Sequence, residues 1–168
     1  PIEPIEAETI VWDRFDLFTA KKDGNYCLFL DDPYVTMLTS CDFTSKPTLI
    51  RKIKKSLKSL DDSVLYIKVE IYGKYGVLKV DPGKTASNRI TTLLPIEFDN
   101  IEYHKNQKRI EITDYDGNTR FETAEKVYVV DKLGMRAVYS ADGELKIPFT
   151  KKESISIYDN YTNPFATI

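Results

Sequence analysis

The residues of this chain whose types could do chemistry are few, and their spacing argues against most reactions. The single histidine, His104, stands between Tyr103 and Lys105 with no cysteine or carboxylate at ligand spacing beside it. General acid–base work needs a partner positioned against the imidazole, and a metal needs several ligands. We therefore expect His104 in a solvated polar connection. Cys27 and Cys41 are the two thiols. Either would need an activating base and a lowered pKa to act as a nucleophile, and His104 is the sole candidate base. The pair has no metal-ligand spacing and is too small for a disulfide framework, so it leaves the redox compartment open. Cys27 reads better as a small buried residue.

Other motifs fail on position. Asp114-Tyr115-Asp116-Gly117-Asn118 looks like a calcium loop, but placing Gly117 at the sixth position puts Ile112 at the first ligand position, where an oxygen is required. A hairpin turn is the better reading. Gly73-Lys74-Tyr75-Gly76 is not a phosphate loop, because no Gly-Lys-Ser/Thr opens a helix after it. An enzyme would require a cleft that gathers carboxylates such as Asp31, Asp32 and Asp81, and nothing in their spacing predicts one. We expect no catalytic residue, no metal and no cofactor.

Candidates for binding are of two kinds. Tyr103, Tyr115, Tyr158 and Tyr161 are expected on strands and turns, where tyrosine beside charge gives rigid, specific contacts. Lys52, Lys54 and Lys55 lie in a basic run with Lys46, Arg51 and Lys58. On one helix face they would meet phosphates, an anionic membrane or an acidic partner, although a basic solvated face is ordinary. The net charge of −2 and a pI near 5.6 oppose the counterion-release binding of nucleic-acid proteins. By this criterion nucleic acid is not the expected partner.

The elements that must position these residues are mostly strands. With 168 residues, 42% hydrophobic and 30% charged, the chain has the composition of a globular protein and length for one domain. Eleven Tyr and eight Phe, many alternating with Val and Ile, favour a pleated surface. Residues 1–10, with Glu3, Glu6, Glu8 and two prolines, read as an extended arm with little order. Residues 11–168 read as a single β domain. Asp23-Gly24, Asp116-Gly117 and Asp142-Gly143 are hairpin signals, because tight primed turns need positive φ. About ten short strands follow, with turns roughly every 8 to 12 residues. One segment breaks the pattern. Leu49, Ile50, Ile53, Leu57 and Leu60 recur at helical period behind Ser45 and Pro47, which predicts a helical insertion at about 47–60 that caps the β array. No apolar run reaches about 18 residues, so no transmembrane helix is expected. The chain begins at Pro1, so we expect it to have been trimmed from something longer, with an export signal, an anchor or a further domain as candidates upstream.

The chain also resembles itself. Gly24-Asn25-Tyr26-Cys27-Leu28 matches Gly73-Lys74-Tyr75-Gly76-Val77, with Asp32-Pro33 and Asp81-Pro82 at the same offset. Gly134-Met135-Arg136-Ala137-Val138 is a third copy. A closing motif recurs as Phe15-Asp16, Phe98-Asp99 and Tyr158-Asp159. This order, with Leu94-Pro95 and Ile147-Pro148, resembles the bacterial WG β-repeat family, in which Gly-Lys-Trp-Gly stands where this chain has Gly73-Lys74-Tyr75-Gly76. Tyr75 and Arg136 replace the family's Trp, and Cys27 and Ala137 replace its second Gly. The resemblance covers roughly residues 64–161, with a weaker echo at 15–33.

A hairpin cannot bury its own apolar face, so repeated hairpins must stack or curl until neighbours cover one another. Tyr26 and Tyr75 would fill equivalent slots, and Phe98, Tyr158 and Phe15 would close each unit. The expected fold is all-β with one helix, a barrel-like or solenoid array of antiparallel hairpins. The expected function is a non-catalytic module that binds another protein, such as a bacterial effector or immunity-type partner. Carbohydrate or cell-envelope binding through exposed aromatics is the second reading, and an anionic partner met by the basic helix is the third. The oligomeric state stays open.

Overall fold

The computed structural model describes residues 6–11, 16–31, 34–54, 63–85 and 88–159. Its contacts divide the chain into two compact units, Pro1–Glu97 and Phe98–Ile168. Among the described residues there are fifteen strands and no α-helix. The all-β expectation holds. The strands form four open sheets, none of them closed into a barrel.

The first unit holds two of the sheets. β1 (Glu6–Val11), β2 (Asp16–Lys22), β3 (Asn25–Asp31) and β4 (Val35–Met37) form one in simple meander order. β5 (Thr48–Lys54), β6 (Ser63–Ile71), β7 (Lys74–Val80) and β8 (Ile90–Phe98) form the other, also as a meander. Leu17, Leu28, Leu30 and Phe43 from the first sheet and its following loop share a buried cluster with Leu65, Ile67, Val69, Leu78 and Val80 from the second. Each sheet thus covers the face that the other cannot bury alone. Two expectations need correction. Residues 6–10, expected as part of a poorly ordered arm, belong to the strand Glu6–Val11, which pairs with β2. Thr48–Lys54, expected as the first half of a helix, is β5, an edge strand on β6; residues 55–60 lie outside the described residues.

The second unit repeats the four-strand order with an insertion. β9 (Asn100–His104), β12 (Val127–Lys132), β13 (Met135–Ser140) and β14 (Leu145–Lys151) make a sheet ordered β14-β13-β12-β9. Between β9 and β12 the chain inserts a hairpin, β10 (Lys108–Thr113) and β11 (Thr119–Ala124). This hairpin pairs with the last strand, β15 (Ile155–Asp159), in the order β11-β10-β15. Ile110, Ile112 and Ile155 of that sheet share a core with Val127, Val129, Val138 and Ile147. A 3₁₀ turn, Lys152–Ser154, leads into β15.

The central hairpins of the three four-stranded sheets turn in the same way. Asp23 (φ 52°) precedes Gly24 (φ 84°), Tyr72 (φ 47°) precedes Gly73 (φ 82°), and Leu133 (φ 52°) precedes Gly134 (φ 75°). Two successive positive φ values define the two-residue primed turn whose twist matches the strands. Asp tolerates that conformation, whereas Tyr and Leu carry steric strain in it. At both strained turns a side chain from elsewhere accepts the residue's N–H. Thr44 Oγ1 accepts from Tyr72 at 2.9 Å, and Asp99 Oδ2 accepts from Leu133 at 2.9 Å.

Three residues after each turn glycine stands a small buried residue: Cys27, Gly76 and Ala137. A Cβ built on Gly76 would lie 2.7 Å from Ile96 Cγ1 and 2.8 Å from the Leu94 carbonyl oxygen, so β8 approaches too closely for a side chain. In β14 the register shifts between Arg136↔Thr150 and Val138↔Ile147, a bulge that sets Pro148 and Phe149 against Ala137. Proline suits a bulge because it has no N–H to leave unpaired. At Cys27 the space is used covalently: Cys27 and Cys41 are joined by a disulfide, and no described cysteine is free. The state of the two thiols, left open by the sequence, is thus a bonded pair. The bond ties the loop after β4 to β3, beside the backbone bridge between Tyr26 and Phe43.

Two stability measurements follow. Replacing Gly76 by Ala forces backbone apart and should cost at least about 1–3 kcal/mol in urea unfolding; equal stability would mean that β8 gives way freely. Reducing Cys27–Cys41 releases a loop of 14 residues and should lower stability by about 3 kcal/mol, read as a lower unfolding midpoint in dithiothreitol that the Cys27→Ala/Cys41→Ala chain reproduces without reductant.

Candidate interaction surface

The sheet β11-β10-β15 has one face in the core and one turned away from it. Its registers fix which residues share the outer face. Because side chains alternate along a strand, Ile110, Ile112 and Ile155 point inward, and their neighbours point out. Cross-strand pairing then builds three rows: Tyr158–Arg109–Thr123, Ser156–Glu111–Phe121, and Thr113–Thr119 with Ser154 beside them. Tyr158 is 49% exposed and Phe121 50% exposed, and the Arg109 guanidinium stacks 3.8 Å from the Phe121 ring centroid. An arginine stacked on one aromatic ring, with a second aromatic residue as its cross-strand neighbour, has the composition of protein-binding hot spots.

The last row opens onto a cleft of about 130 Å³ lined by Thr113, Asp114, Tyr115, Thr150, Lys151 and Ser154. Tyr115 is 98% exposed, held out by the turn beneath it. Asp114 Oδ1 accepts the backbone N–H groups of Asp116 and Asn118 at 3.0 and 2.8 Å. This is an Asx turn, so the carboxylate once compared with a calcium ligand is already engaged. Lys151 Nζ lies 5.7 Å from the Tyr115 ring centroid. The edge strand β11 protects itself: Arg120 and Glu122, on its inner side, form an ion pair at 2.8 Å. Inward charge of this kind discourages edge-to-edge aggregation.

The other singled-out residues fall elsewhere. Tyr115 and Tyr158 share the surface just described. Tyr103 does not, since it lies on β9 with its ring 5.0 Å from the buried Tyr128 ring. Tyr161 and Lys55 lie outside the described residues. Lys52 and Lys54 belong to β5, so the basic helix face that was to gather them is absent; the nearby Arg51 sits 5.1 Å over the Tyr66 ring. His104 is not in a loop. It ends β9, with its side chain 19% exposed and Nε2 3.4 Å from Glu102 Oε2. Phe98 is fully buried against Tyr139 and Phe149, whereas Tyr158 is half exposed, so the two closing motifs do different jobs. Asp99 pins the Leu133 turn, and Asp159 pairs with Lys108. Asp81 is buried, 4.0 Å from Lys84 Nζ, and Asp32 lies outside the described residues. Among the described residues, no group of three or more His, Cys, Asp or Glu side chains is placed to hold a metal. Among them, too, no helix is long and apolar enough to cross a membrane.

One position of the central hairpins varies in chemistry while keeping its geometry. Two residues beyond each turn glycine stand Tyr26, Tyr75 and Arg136, paired across the hairpin with Lys21, Glu70 and Asp131. Lys21 Nζ lies 5.3 Å over the Tyr26 ring. Arg136 grips Asp131 through Nε–Oδ1 at 2.7 Å and Nη2–Oδ2 at 3.2 Å, and reaches the Ile155 carbonyl at 3.3 Å. The nearby Asp131 carboxylate pushes the guanidinium pKa up. This partly buried fork ties β13 to the start of β15, and so steadies the outer sheet. Glu70 is held below the usual carboxylate range chiefly by the Tyr75 hydroxyl, and the same bond pushes the Tyr75 phenol up.

These two shifts set a pH window. A lowered carboxyl contributes stability above its ordinary pKa and loses it as pH falls through the folded value. A raised phenol contributes fully below its ordinary 10.0 and loses it as pH rises through the folded value. Glu70→Gln should flatten the acid limb of a urea-stability profile and return one tyrosine, absent in Tyr75→Phe, to ordinary ionisation in a UV titration. An unchanged acid limb would show that the bond is not maintained in solution.

No family model matches the chain, and no curated protein or solved structure is significantly similar to it.

Proposed function

We propose that this protein is a non-catalytic β-repeat module that binds another protein through the outer face of β11-β10-β15. The observation that carries the reading is Arg109 stacked on Phe121 beside Tyr158 on an exposed sheet face. Large rigid side chains lose little conformational entropy on contact, and a stacked guanidinium keeps its in-plane N–H groups available. We further propose that the three central hairpins are degenerate copies of one Gly-Lys-Trp-Gly type repeat. Their common turn backbone, the small residue three positions on, and the shared four-strand order support that reading. The inserted β10-β11 hairpin is then the part that departs from the repeat and carries the binding face.

A second reading, carbohydrate binding, is favoured by Tyr115, whose exposed ring stands beside a polar cleft with three hydroxyl side chains. Sugars stack on such rings while hydroxyls and charged groups bond their edges. The two readings separate by what is retained.

The test is a pull-down from cell lysate with the whole chain as bait, run beside Phe121→Ala/Tyr158→Ala and a glycan array. Retention of one protein by the unaltered chain, reduced roughly 30-fold or more by the double variant if each ring contributes about 1–2 kcal/mol, supports the proposal. Equal retention by both chains would remove the face from the account. Glycan binding lost in Tyr115→Ala would move the function to the cleft.

A further inference from the structure

We infer that the outer face of β11-β10-β15 docks an acidic, extended segment of its protein partner, with one carboxylate meeting Arg109 and a second meeting Lys151. The inference rests on the reading of this face as an interface and adds the chemistry of what covers it.

The argument is one of charge complementarity. Four other cations of the second unit have carboxylate partners: Lys108 with Asp159, Arg120 with Glu122, and Arg136 and Lys152 with Asp131. Arg109 and Lys151 do not. Among the described residues their contacts are with rings, Phe121 and Tyr115 respectively. A cation resting on an aromatic face is held in place at little cost while its N–H donors stay open to an anion. Arg109 thus presents positive charge at one end of the sheet face, and Lys151, from β14, presents it at the cleft onto which the other end opens. At the Lys151 end the hydroxyls of Thr113, Thr150 and Ser154 line the same cleft and add donors for a carboxylate.

Spacing and the intervening charge make the partner more specific. Arg109, Glu111 and Thr113 are alternate residues of β10, so about 13 Å separates the two ends of the face at roughly 3.3 Å per residue. An extended partner covers that span with about five residues, four steps of roughly 3.3 Å. Glu111 sits midway on the outer face, where a partner carboxylate would be repelled and a lysine accepted. The matching pattern is acidic, basic, acidic at alternate positions of a strand. Asp114 lines the same cleft, with its Oδ1 turned to the backbone N–H groups of Asp116 and Asn118, which offset part of its charge.

The test titrates the isotopically labelled full chain by NMR with a synthetic peptide carrying Glu, Lys and Glu at alternate positions of a Thr/Val background. Its charge-reversed Lys, Glu, Lys counterpart is the control. The expected result is saturable shifts confined to β10, β11, β15 and the Tyr115 turn with the first peptide alone. Arg109→Glu/Lys151→Glu should weaken the first peptide roughly ten-fold or more, about 1.4 kcal/mol, and gain affinity for the second. Equal response to both peptides, shifts away from this face, or none at millimolar peptide would overturn the inference. Its failure is separable from that of the interface itself. A pull-down partner lost in Phe121→Ala/Tyr158→Ala but kept in Arg109→Glu/Lys151→Glu leaves the face an interface and removes the acidic segment; one kept in both removes the face.

Discussion

The two-residue turn with positive φ at both positions is the constraint on which the rest of the structure depends. Its twist agrees with that of the strands it joins, and it occurs at the centre of three sheets. Where its first residue is Asp23, the backbone adopts the conformation readily. Where it is Tyr72 or Leu133, the strain is met by an acceptor delivered from a distant part of the chain, Thr44 or Asp99. Those two hydrogen bonds couple each turn to the segment that must pack beside it. The turn therefore sets more than local geometry, because it fixes which strand lies next to the hairpin.

A second constraint follows from the first. Once the hairpin is placed, a neighbouring strand or loop crosses close to the residue three positions after the turn glycine, and that residue must be small. The chain meets the demand with glycine under β8, alanine opposite the Pro148 bulge and a cysteine bonded to Cys41. One steric requirement thus has three chemical answers. The position before it shows the same freedom: a cation over a ring, a tyrosine bonded to a carboxylate, and a forked arginine all hold the hairpin's mouth. The three hairpins share a geometry while their side-chain chemistry differs, which is why their likeness is hard to see as text.

The candidate surface arises where the four-strand order of the second unit is interrupted. β10 and β11 enter between β9 and β12, and β15 returns to pair with β10. One face of this small sheet covers the valines of β12 and β13. The other has no described layer over it, and its outward positions hold Arg109, Glu111, Phe121 and Tyr158. The Asp131–Arg136 fork, through its bond to the Ile155 carbonyl, anchors the strand that carries Tyr158.

Strand after strand was legible because β-branched and aromatic residues alternate between turn signals, and period-two alternation is a local property. Arg109, Glu111 and Thr113 were legible as outward positions of β10 by that rule, and Phe121 stands out as the apolar residue among outward positions of β11, yet neither was singled out. The helix at 47–60 misled because β5 carries a bulge: with Ile50 unpaired, Leu49 meets Ile67 on the core face and Ile53 meets Val64 on the other, so an apolar spacing of four mimics a helical stripe. Strand β6, apolar on both faces and in need of an edge partner, decided the outcome, since tertiary pairing outweighs propensity differences of a few tenths of a kcal/mol. The same holds for the Cys27–Cys41 pairing, for Tyr103 resting on Tyr128 and for Tyr158 beside Arg109. By itself the sequence determined the all-β class, the positive-φ turns and the in–out alternation, because each depends on residues near one another in the chain. Only the tertiary structure decided which strands are neighbours, and so which cations keep a free face, because those contacts join residues far apart in sequence.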